Sequence, residues 1–521
     1  MSGETTFILL FIVATAVAIV VQKWKIPYTV ALVASGLLLG SIHALKPPIL
    51  TKELLYTVFL PGLLFEAAFH IDFEQFWRNK KTIVSLAVPG VIAATALIAL
   101  ILTPVADAVN YVRNFDWRYS LVFGALIAAT DPIAVMALFR EIGAPKRLNV
   151  LLQGESLLND GTGIVFFTLS LSIATGVSTG AAGLVLDFFR IVGFGLLTGG
   201  IVGLAVSQVT KQINEPMIEI TLTTVGAYGA FVAAEHFGFS GVIATVTAGM
   251  ICGNYGARQG MSPSTRLAVE SFWEYVAFAM NSIVFLLIGF EVRIADLAAS
   301  WQMILVAYLA VTVGRALVIS GVSLIFRFSK ERIPWSWSFF LFWGGLRGAL
   351  PMVLVLSLPH NFPHRDLLAT MTFGVVIISI MFHGLTAAKL VEWLGIVTGQ
   401  QPLENYFYLQ GKLRAANAAM ADIEHLDRGR LKAEGVLPSL RKEYEKMIKD
   451  GEERLNSLRI DHEELRREEM QRARKELILA EKKHIIESFH RGMLSQRVYE
   501  KLLDDADARL LNMETEQEEP D

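Results

Sequence analysis

The stretch Gln153–Gly161, QGESLLNDG, places two carboxylates and an amide inside a strongly apolar run. Two further polar interruptions flank it, Thr130–Pro132 (TDP) upstream and Gly344–Gly348 (GGLRG) downstream. A charged side chain at the centre of a bilayer costs at least about 2.5 kcal/mol, so an ionisable residue in such a run indicates function. Three of these interruptions in one apolar chain predict an ion pathway and argue against a passive membrane anchor.

Composition divides the chain into two parts. Of the 521 residues, 53% are hydrophobic and 18% are charged, and the mean hydropathy of +0.48 is too high for an ordinary soluble domain. Residues 396–521 carry 49 of the 95 Lys, Arg, Asp and Glu residues. We therefore predict a transmembrane domain over 1–395 and a cytosolic, helical, regulatory tail over 396–521. The lone Cys252 excludes an intrachain disulfide and a cysteine zinc site.

The apolar runs predict an all-α polytopic membrane protein. A helix needs about 20 apolar residues to cross the bilayer core, and the alternating pattern of a barrel is absent. By this measure we predict 13 transmembrane helices, near residues 5–22, 26–42, 52–70, 82–102, 118–139, 148–174, 184–208, 216–235, 239–254, 267–290, 300–326, 335–357 and 366–395.

Loop charges predict the orientation. If the N-terminus lies outside, the loops on the cytoplasmic side carry 14 Lys and Arg residues and the outer loops carry 6. Cytoplasmic loops are the ones enriched in Lys and Arg. We therefore expect a multi-pass membrane protein with its N-terminus outside and its tail in the cytoplasm.

The fifth and twelfth predicted helices share an interruption near their centres, at Asp131-Pro132 and at Gly344–Gly348 with Pro351 following. Proline lacks an N–H donor and pushes the residue before it away from helical geometry. Broken helices at corresponding places in two halves indicate a binding site near the bilayer midplane. Since the two are seven spans apart and so run in opposite directions, they suit an inverted repeat. The alternative is that the Gly and Pro residues only kink packed helices.

Helical spacing indicates how the central motif is used. Ser156 and Asp160 are four residues apart and share one face, so both can direct oxygens into one cavity. Thr130 and Asp131 add a hydroxyl, a carboxylate and the freed carbonyls of a broken helix, and Glu66 is a third buried carboxylate. Hard cations take oxygen ligands. We predict a Na⁺ site at Asp160, Ser156 and Thr130.

Asp160 is the residue expected to couple cation and proton. Desolvation disfavours the charged form of a buried carboxylate, so such a group holds either a proton or a cation, but poorly both. This competition is the simplest physical basis for cation–proton exchange. The alternative for Asp160 and Glu66 is a structural role as hydrogen-bonding acids.

Two arginines lie within predicted spans. Arg347 stays protonated and needs a partner, for which we predict Glu155 as a structural ion pair. We also expect Arg347 to face the C-terminal dipoles of the broken twelfth helix. The sequence does not identify a partner for Arg315. Four acids near predicted cytoplasmic ends suggest an acidic funnel or pH-sensing cluster, or are ordinary interfacial acids: Glu215, Glu219, Glu270 and Glu274.

Taken together, these motifs resemble the sodium–proton exchanger branch of the monovalent cation–proton antiporters, including its NhaP-type members. The resemblance covers about residues 5–395, and four motifs in this order are highly specific. They are PGLLFEAAF at 61–69, ATDPIAV at 129–135, GESLLND at 154–160 and GGLRGAL at 344–350.

The resemblance implies a thirteen-helix fold with inverted repeats, two crossed broken helices, an elevator-like cycle and a homodimer. It implies that Glu155 and Arg347 form the structural ion pair, and that Asn159 before the key aspartate marks an electroneutral exchanger. His383 departs from the family, whose members often carry Gln there, and adds either a titrating group or a hydrogen bond. The cation- and proton-binding residues implied are Asp160, Asn159, Ser156, Asp131, Thr130 and Glu66.

The tail is expected to form amphipathic helices. Apolar residues recur at helical steps among dense charges, which suggests a short coiled coil. The tail is then either a solvated appendage or a regulatory element that contacts the membrane domain or a second tail. The stripe consists of Leu440, Tyr444, Met447, Leu455, Leu458 and Leu465.

The sequence therefore predicts a secondary antiporter that exchanges Na⁺ or Li⁺ for H⁺, with electroneutral 1:1 stoichiometry. It predicts no enzyme activity, no cofactor and no nucleic-acid partner, since neither a nucleotide motif nor a basic patch is present. Three alternatives stay open: a K⁺/H⁺ antiporter with the same mechanism, a cation channel, and a non-transporting membrane sensor that acts through its tail.

Overall fold

The chain divides into two compact units, Met1–Val397 and Thr398–Asp521, in a computed structural model. In the first unit the structure describes residues 3–24, 27–41, 54–108, 115–142, 144–176, 180–213, 215–329 and 331–396. In the second it describes residues 406, 408–420, 436–457, 462–490, 493–495, 498–499, 501–503, 505–506 and 509. All regular structure in these ranges is helical.

The first half of the membrane unit holds nine helices among its described residues. They are α1 Gly3–Trp24, α2 Tyr28–Ser41, α3 Leu60–Phe69, α4 Phe73–Arg78, α5 Lys80–Ala87, α6 Pro89–Ala108, α7 Trp117–Ala128, α8 Ile133–Ile142 and α9 Lys146–Thr175. A π-helical turn over Leu54–Phe59 leads into α3.

The second half continues with α10 Ala181–Thr210, α11 Pro216–His236, α12 Gly241–Ile251, α13 Ala257–Gly260, α14 Pro263–Glu291, α15 Ile294–Ala299, α16 Trp301–Ile325, α17 Trp335–Gly344, α18 Leu350–Leu356, α19 Arg365–Ile378 and α20 Gly384–Trp393. Shorter turns join some of them, namely the π-helical Cys252–Gly256 and Ser379–His383 and the 3₁₀ turn Phe326–Phe328.

Seven described segments are long and apolar enough to cross a membrane. They are Lys80–Ala106, Lys146–Thr175, Ala182–Thr210, Pro216–His236, Thr265–Glu291, Trp301–Phe328 and Arg365–Trp393. Shorter apolar helices cover Ile8–Val21, Tyr28–Ser41, Leu54–Phe69 and Trp117–Ala128. The chain is therefore an all-helical, multi-pass membrane protein, and the count of 13 spans stays a prediction.

Both predicted interruptions are real breaks in the helices. The first separates α7 from α8 because Pro132 supplies no N–H and Ala129 is extended, with φ −63° and ψ 143°. The second separates α17 from α18 between Gly345 and Ala349. The two unwound segments meet where the Asp131 N–H donates to the Leu346 carbonyl at 2.8 Å, in an isolated antiparallel bridge. Four helix ends thus converge at one place inside the unit.

Glycines allow close helix contacts around this point. A Cβ at Gly36 of α2 would overlap the Leu286 carbonyl of α14, and one at Gly199 of α10 would overlap the Ala244 carbonyl of α12. Small residues let helix backbones approach in a membrane, where packing drives association. The long helix α9 packs against α5 and α7, and α16 packs against α6 and α19. This arrangement surrounds the breaks with continuous helices.

The tail unit is also helical, with α21 over 408–420, α22 Val436–Ser457 and α23 His462–His490. Met447 and Gly451 of α22 face Leu409 and Leu413 of α21 across a cleft of about 280 Å³. Part of the predicted apolar stripe is therefore used within the unit. Leu458 lies outside the described residues, and the side chain of Leu465 is not described.

Candidate functional site

A cavity of about 490 Å³ opens beside the two broken helices. Its walls come from α3, α8, α9, α14, α18 and the unwound segments. Five of the six residues predicted to bind cation and proton line it, and Asn159 does not. The polar lining consists of Glu66, His70, Thr130, Asp131, Gln153, Ser156, Asp160, Glu274 and Asn281.

The side chains of α9 hold the first unwound segment in place. Ser156 Oγ donates to the Thr130 carbonyl at 2.7 Å. Asn159 Nδ2 donates to Thr130 Oγ1 at 2.7 Å, and its Oδ1 accepts from the Thr130 N–H at a long 3.4 Å. Asn159 is 1% exposed. Its amide therefore fixes Thr130 from behind, donating one hydrogen bond and accepting another.

Asp131 sits at the amino end of α8. Its Oδ1 accepts from the Ile133 N–H at 2.9 Å, so the carboxylate satisfies one of the free donors of that helix end. Gly348 of the other unwound segment backs this carboxylate, and a Cβ at Gly348 would overlap it. Asp131 therefore caps the amino end of its own half-helix, α8.

Asp160 differs from the neighbouring polar residues in its hydrogen bonding. Its carboxylate lines the cavity with Asp131, yet among the residues that the structure describes it has no hydrogen bond or ion pair. A structural acid would be bonded, because a buried polar group without a partner is costly. The geometry therefore leaves Asp160 available to bind a proton or a cation.

The prediction that Glu155 pairs with Arg347 is wrong. Arg315 of α16 forms the pair, with Nη1 to Glu155 Oε1 at 2.9 Å and Nη2 to Oε2 at 3.3 Å. The two side chains are 10% and 4% exposed. The sequence offered two mid-span arginines for one glutamate, and only helix packing decides which one reaches it.

The two arginines each bind the carboxyl end of one half-helix. Arg315 donates from Nη2 to the Leu341 carbonyl at 2.7 Å and from Nε to the Phe342 carbonyl at 3.2 Å, in the last turn of α17. Arg347 Nη1 donates to the Ala128 and Ala129 carbonyls at 2.8 and 3.1 Å, at the end of α7. The expectation that Arg347 faces the broken twelfth helix is therefore wrong, since Arg315 does so. Both cations satisfy carbonyls that the breaks leave free.

Comparison with known proteins decides the family. The model of the transmembrane sodium/hydrogen exchangers matches residues 8–393. The chain belongs to the sodium/hydrogen exchanger family. It is 38% identical over 401 residues to the Na⁺/H⁺ antiporter ApNhaP of Aphanothece halophytica, covering 77% of this chain and 75% of the relative. It is 33% identical over 501 residues to the Na⁺/H⁺ antiporter NhaG of Bacillus atrophaeus, covering 94% and 93%.

A solved structure shares the fold. The sodium proton antiporter MjNhaP1 from Methanocaldococcus jannaschii aligns with a TM-score of 0.61 over 74% of this chain and 99% of its own. At 19% sequence identity the likeness shows the architecture alone. The resemblance inferred from the four motifs is thus confirmed at the level of the family.

The sequence motifs of this family member did not identify His70 as a residue of the cavity. Its Nδ1 lies 3.3 Å from Glu66 Oε1 and 3.0 Å from the Glu66 carbonyl oxygen, and both residues line the cavity. The available signal was the four-residue spacing, which places the two on one helical face. Glu66 therefore reaches the cavity together with an imidazole partner.

His383 of this exchanger-family chain lies away from the cavity. Its Nε2 is 2.9 Å from the Tyr308 hydroxyl, and its ring lies 4.5 Å from that of Trp343. The side chain is buried at 6% exposure. Of the two roles expected for it, the structure shows the hydrogen bond.

Gly348→Ala is expected to weaken Na⁺ binding, because the new Cβ would displace the Asp131 carboxylate. We expect a several-fold rise in the apparent KM for Na⁺ in proteoliposome exchange assays. Gly344→Ala is the matched control, since its Cβ would make only ordinary contacts, at 3.4 Å or more, with Phe340 and Val135. An unchanged KM in Gly348→Ala would show that the position of Asp131 does not matter for the cation.

Proposed function

We propose that the chain is a secondary antiporter, not an enzyme, that exchanges Na⁺ for H⁺ across a membrane. The observation that carries this proposal is the Asp160 carboxylate, which lines a cavity between two broken helices and has no hydrogen bond or ion pair in the part of the chain that the structure describes. The relatives ApNhaP and NhaG, which are named Na⁺/H⁺ antiporters, support it. No cofactor is needed, because the transported ions are themselves the substrates.

Competition at Asp160 provides the exchange step. A Na⁺ ion in the cavity would be bound by the Asp160 carboxylate, the hydroxyls of Ser156 and Thr130, and the second carboxylate of Asp131. Glu66 adds a further carboxylate on the cavity wall. When Asp160 is protonated its charge is lost and the cation leaves. Asn159 acts by positioning Thr130, as its hydrogen bonds indicate.

The sum of formal charges at the breaks supports electroneutral 1:1 exchange. The charged groups at the breaks are two cations, Arg315 and Arg347, and three carboxylates, Glu155, Asp131 and Asp160. Their formal charges sum to −1, which one proton or one monovalent cation cancels. The protein then presents the same net charge in both loaded states, so the membrane potential does not bias the cycle.

The proposal extends to the architecture of the whole protein. We infer 13 spans with inverted repeats, an elevator-like cycle, a homodimer, and an N-terminus outside with a cytoplasmic tail. The transport domain is residues 1–395 and the regulatory tail is 396–521. The breaks in two oppositely directed spans support the repeat, and the bias of 14 Lys and Arg residues against 6 supports the orientation.

The experiment that tests the function measures dissipation of ΔpH in proteoliposomes by Na⁺, Li⁺ and K⁺, with and without valinomycin to clamp the potential. We expect Na⁺ and Li⁺ to collapse ΔpH at rates that the clamp does not change. A response to K⁺ alone would make the protein a K⁺/H⁺ antiporter. No response to any cation by folded protein would favour the sensor, and a clamp-dependent rate would overturn electroneutrality.

A further inference from the structure

Ser379 is a buried hydroxyl that the proposed exchange cycle does not use. It opens the π-helical turn Ser379–His383 between α19 and α20, and it is 2% exposed. Its oxygen accepts a hydrogen bond from the backbone N–H of Arg347 at 3.2 Å. Three other hydroxyls of the same span instead make the usual bond of a helical threonine, to the carbonyl four residues back, namely those of Thr370, Thr372 and Thr386.

The Ser379 hydroxyl supplies an acceptor that the break in the helix removes. Arg347 lies in the unwound segment between α17 and α18, so its N–H stands outside either helix. The residue is 3% exposed, and a buried backbone N–H needs a hydrogen-bond partner. Loss of the acceptor would leave this donor unsatisfied, which is costly. The unwound segment would then have to shift to reach another acceptor or water.

A shift of this segment would reach the cation site through Asp131. The residue before Arg347 is Leu346, whose carbonyl accepts the Asp131 N–H at 2.8 Å. The residue after it is Gly348, which packs against the Asp131 carboxylate so closely that a Cβ would overlap it. Asp131 lines the ion cavity, whereas Ser379 is not among its described lining residues. Ser379 can therefore act on the cation only through the unwound segment.

The first unwound segment is held in a comparable way. Ser156 and Asn159 of α9, the helix that follows the first broken span, bond to Thr130. The span α19–α20 follows the second broken span, and its Ser379 bonds to Arg347. A π-helical turn changes the face that a helix presents, and such turns occur frequently at functional sites. Each unwound segment is thus held by a hydroxyl from the next span along the chain.

We propose that Ser379 is a positioning residue for cation binding. Its hydroxyl holds the second unwound segment in the place from which Leu346 and Gly348 direct the Asp131 carboxylate into the cavity. Ser379 touches neither the cation nor the transported proton. This inference rests on the proposed exchange activity and extends the cation site to a residue outside the cavity.

Exchange kinetics of Ser379 variants in proteoliposomes test the proposal. Ser379→Ala removes the acceptor, and we expect a several-fold rise in the apparent KM for Na⁺ with little change in the maximal rate. Ser379→Thr keeps the hydroxyl oxygen, so we expect its KM to stay close to that of the wild type. This split between KM and rate, together with the rescue, separates positioning from a general loss of folded protein.

Ser338→Ala is the matched control. Ser338 of α17 is also buried, at 4% exposure, and its hydroxyl bonds to Ser323 and to the Pro334 carbonyl. The change therefore removes a buried hydroxyl of the same kind without removing a bond to the unwound segment. We expect its KM for Na⁺ to equal that of the wild type.

A binding measurement that needs no transport complements the kinetics. A ligand that binds the native state raises its unfolding temperature, so titration with Na⁺ gives the midpoint of stabilisation for the purified full-length protein. We expect Ser379→Ala to move this midpoint to higher Na⁺ by the same factor as KM, and Ser338→Ala to leave it unchanged. A variant that is less stable without Na⁺ still reports its midpoint.

The outcomes distinguish this inference from the proposed function. If the wild type exchanges Na⁺ and Ser379→Ala has the same KM and the same midpoint, the positioning role is overturned. A rise in KM that Ser379→Thr shares would assign the effect to packing and overturn the role of the hydroxyl. If Na⁺ neither drives exchange in the wild type nor stabilises it, the proposed function fails, and this inference fails with it.

Discussion

Asp160→Asn abolishes Na⁺-driven dissipation of ΔpH and leaves the protein folded. The amide has nearly the shape of the carboxylate but neither a titratable proton nor a charge, so it cannot exchange one ion for the other. Asp160 has no hydrogen bond or ion pair among the described residues, and the neighbouring charge is the like charge of Asp131. We therefore expect the exchange rate to equal that of protein-free liposomes and the unfolding temperature to be equal or higher.

The matched control is Asp366→Asn, because the Asp366 side chain is fully exposed at the start of α19. This change should leave both the rate and the unfolding temperature as in the wild type. Exchange that persists in Asp160→Asn would move the proton-carrying role to Asp131, which lines the same cavity.

Arg315→Ala is expected to be the most destabilising single change at the breaks. It leaves Glu155 as a buried, uncompensated charge, which typically costs about 3–5 kcal/mol. It also removes the hydrogen-bond donor to the Leu341 and Phe342 carbonyls at the end of α17. We expect a large drop in the unfolding temperature and in the yield of monodisperse protein in detergent.

Arg78→Ala provides the contrast. Arg78 and Glu74 form an exposed pair at 2.7 Å with side chains 45% and 41% exposed, and such pairs contribute about 0.2–1 kcal/mol to stability.

A double-mutant cycle tests which arginine is the partner of Glu155. Glu155→Gln should be strongly non-additive with Arg315→Ala and closer to additive with Arg347→Ala. The opposite pattern would indicate that Glu155 pairs with Arg347, as expected from the sequence.

The sequence predicted the positions of the breaks because their cause is local. Pro132 lacks an N–H donor, and the glycines at 344, 345 and 348 need no neighbour to weaken a helix. The same holds for the shared face of Ser156 and Asp160, which follows from the period of a helix. The family assignment and the cavity positions of Thr130, Asp131, Ser156 and Asp160 follow from these motifs.

Polar contacts between distant helices were not predictable in the same way. Asn159 was expected beside the cation, yet it holds Thr130 from behind. Its position depends on which side of α9 faces the unwound segment, and the sequence does not show this. Glu219 was one of four acids that looked alike in the sequence. Only the packing of α11 decided that it is fully buried.

The sequence alone thus determined the membrane class, the two interruptions and the choice of Asp160, since each depends on hydropathy or on chain-local geometry. Only the tertiary structure decided that Glu155 pairs with Arg315 and that each arginine binds the end of one broken helix. The physical reason is that electrostatic partners are selected by distance in space. Residues 155 and 315 are brought together only when α9 and α16 pack around the breaks.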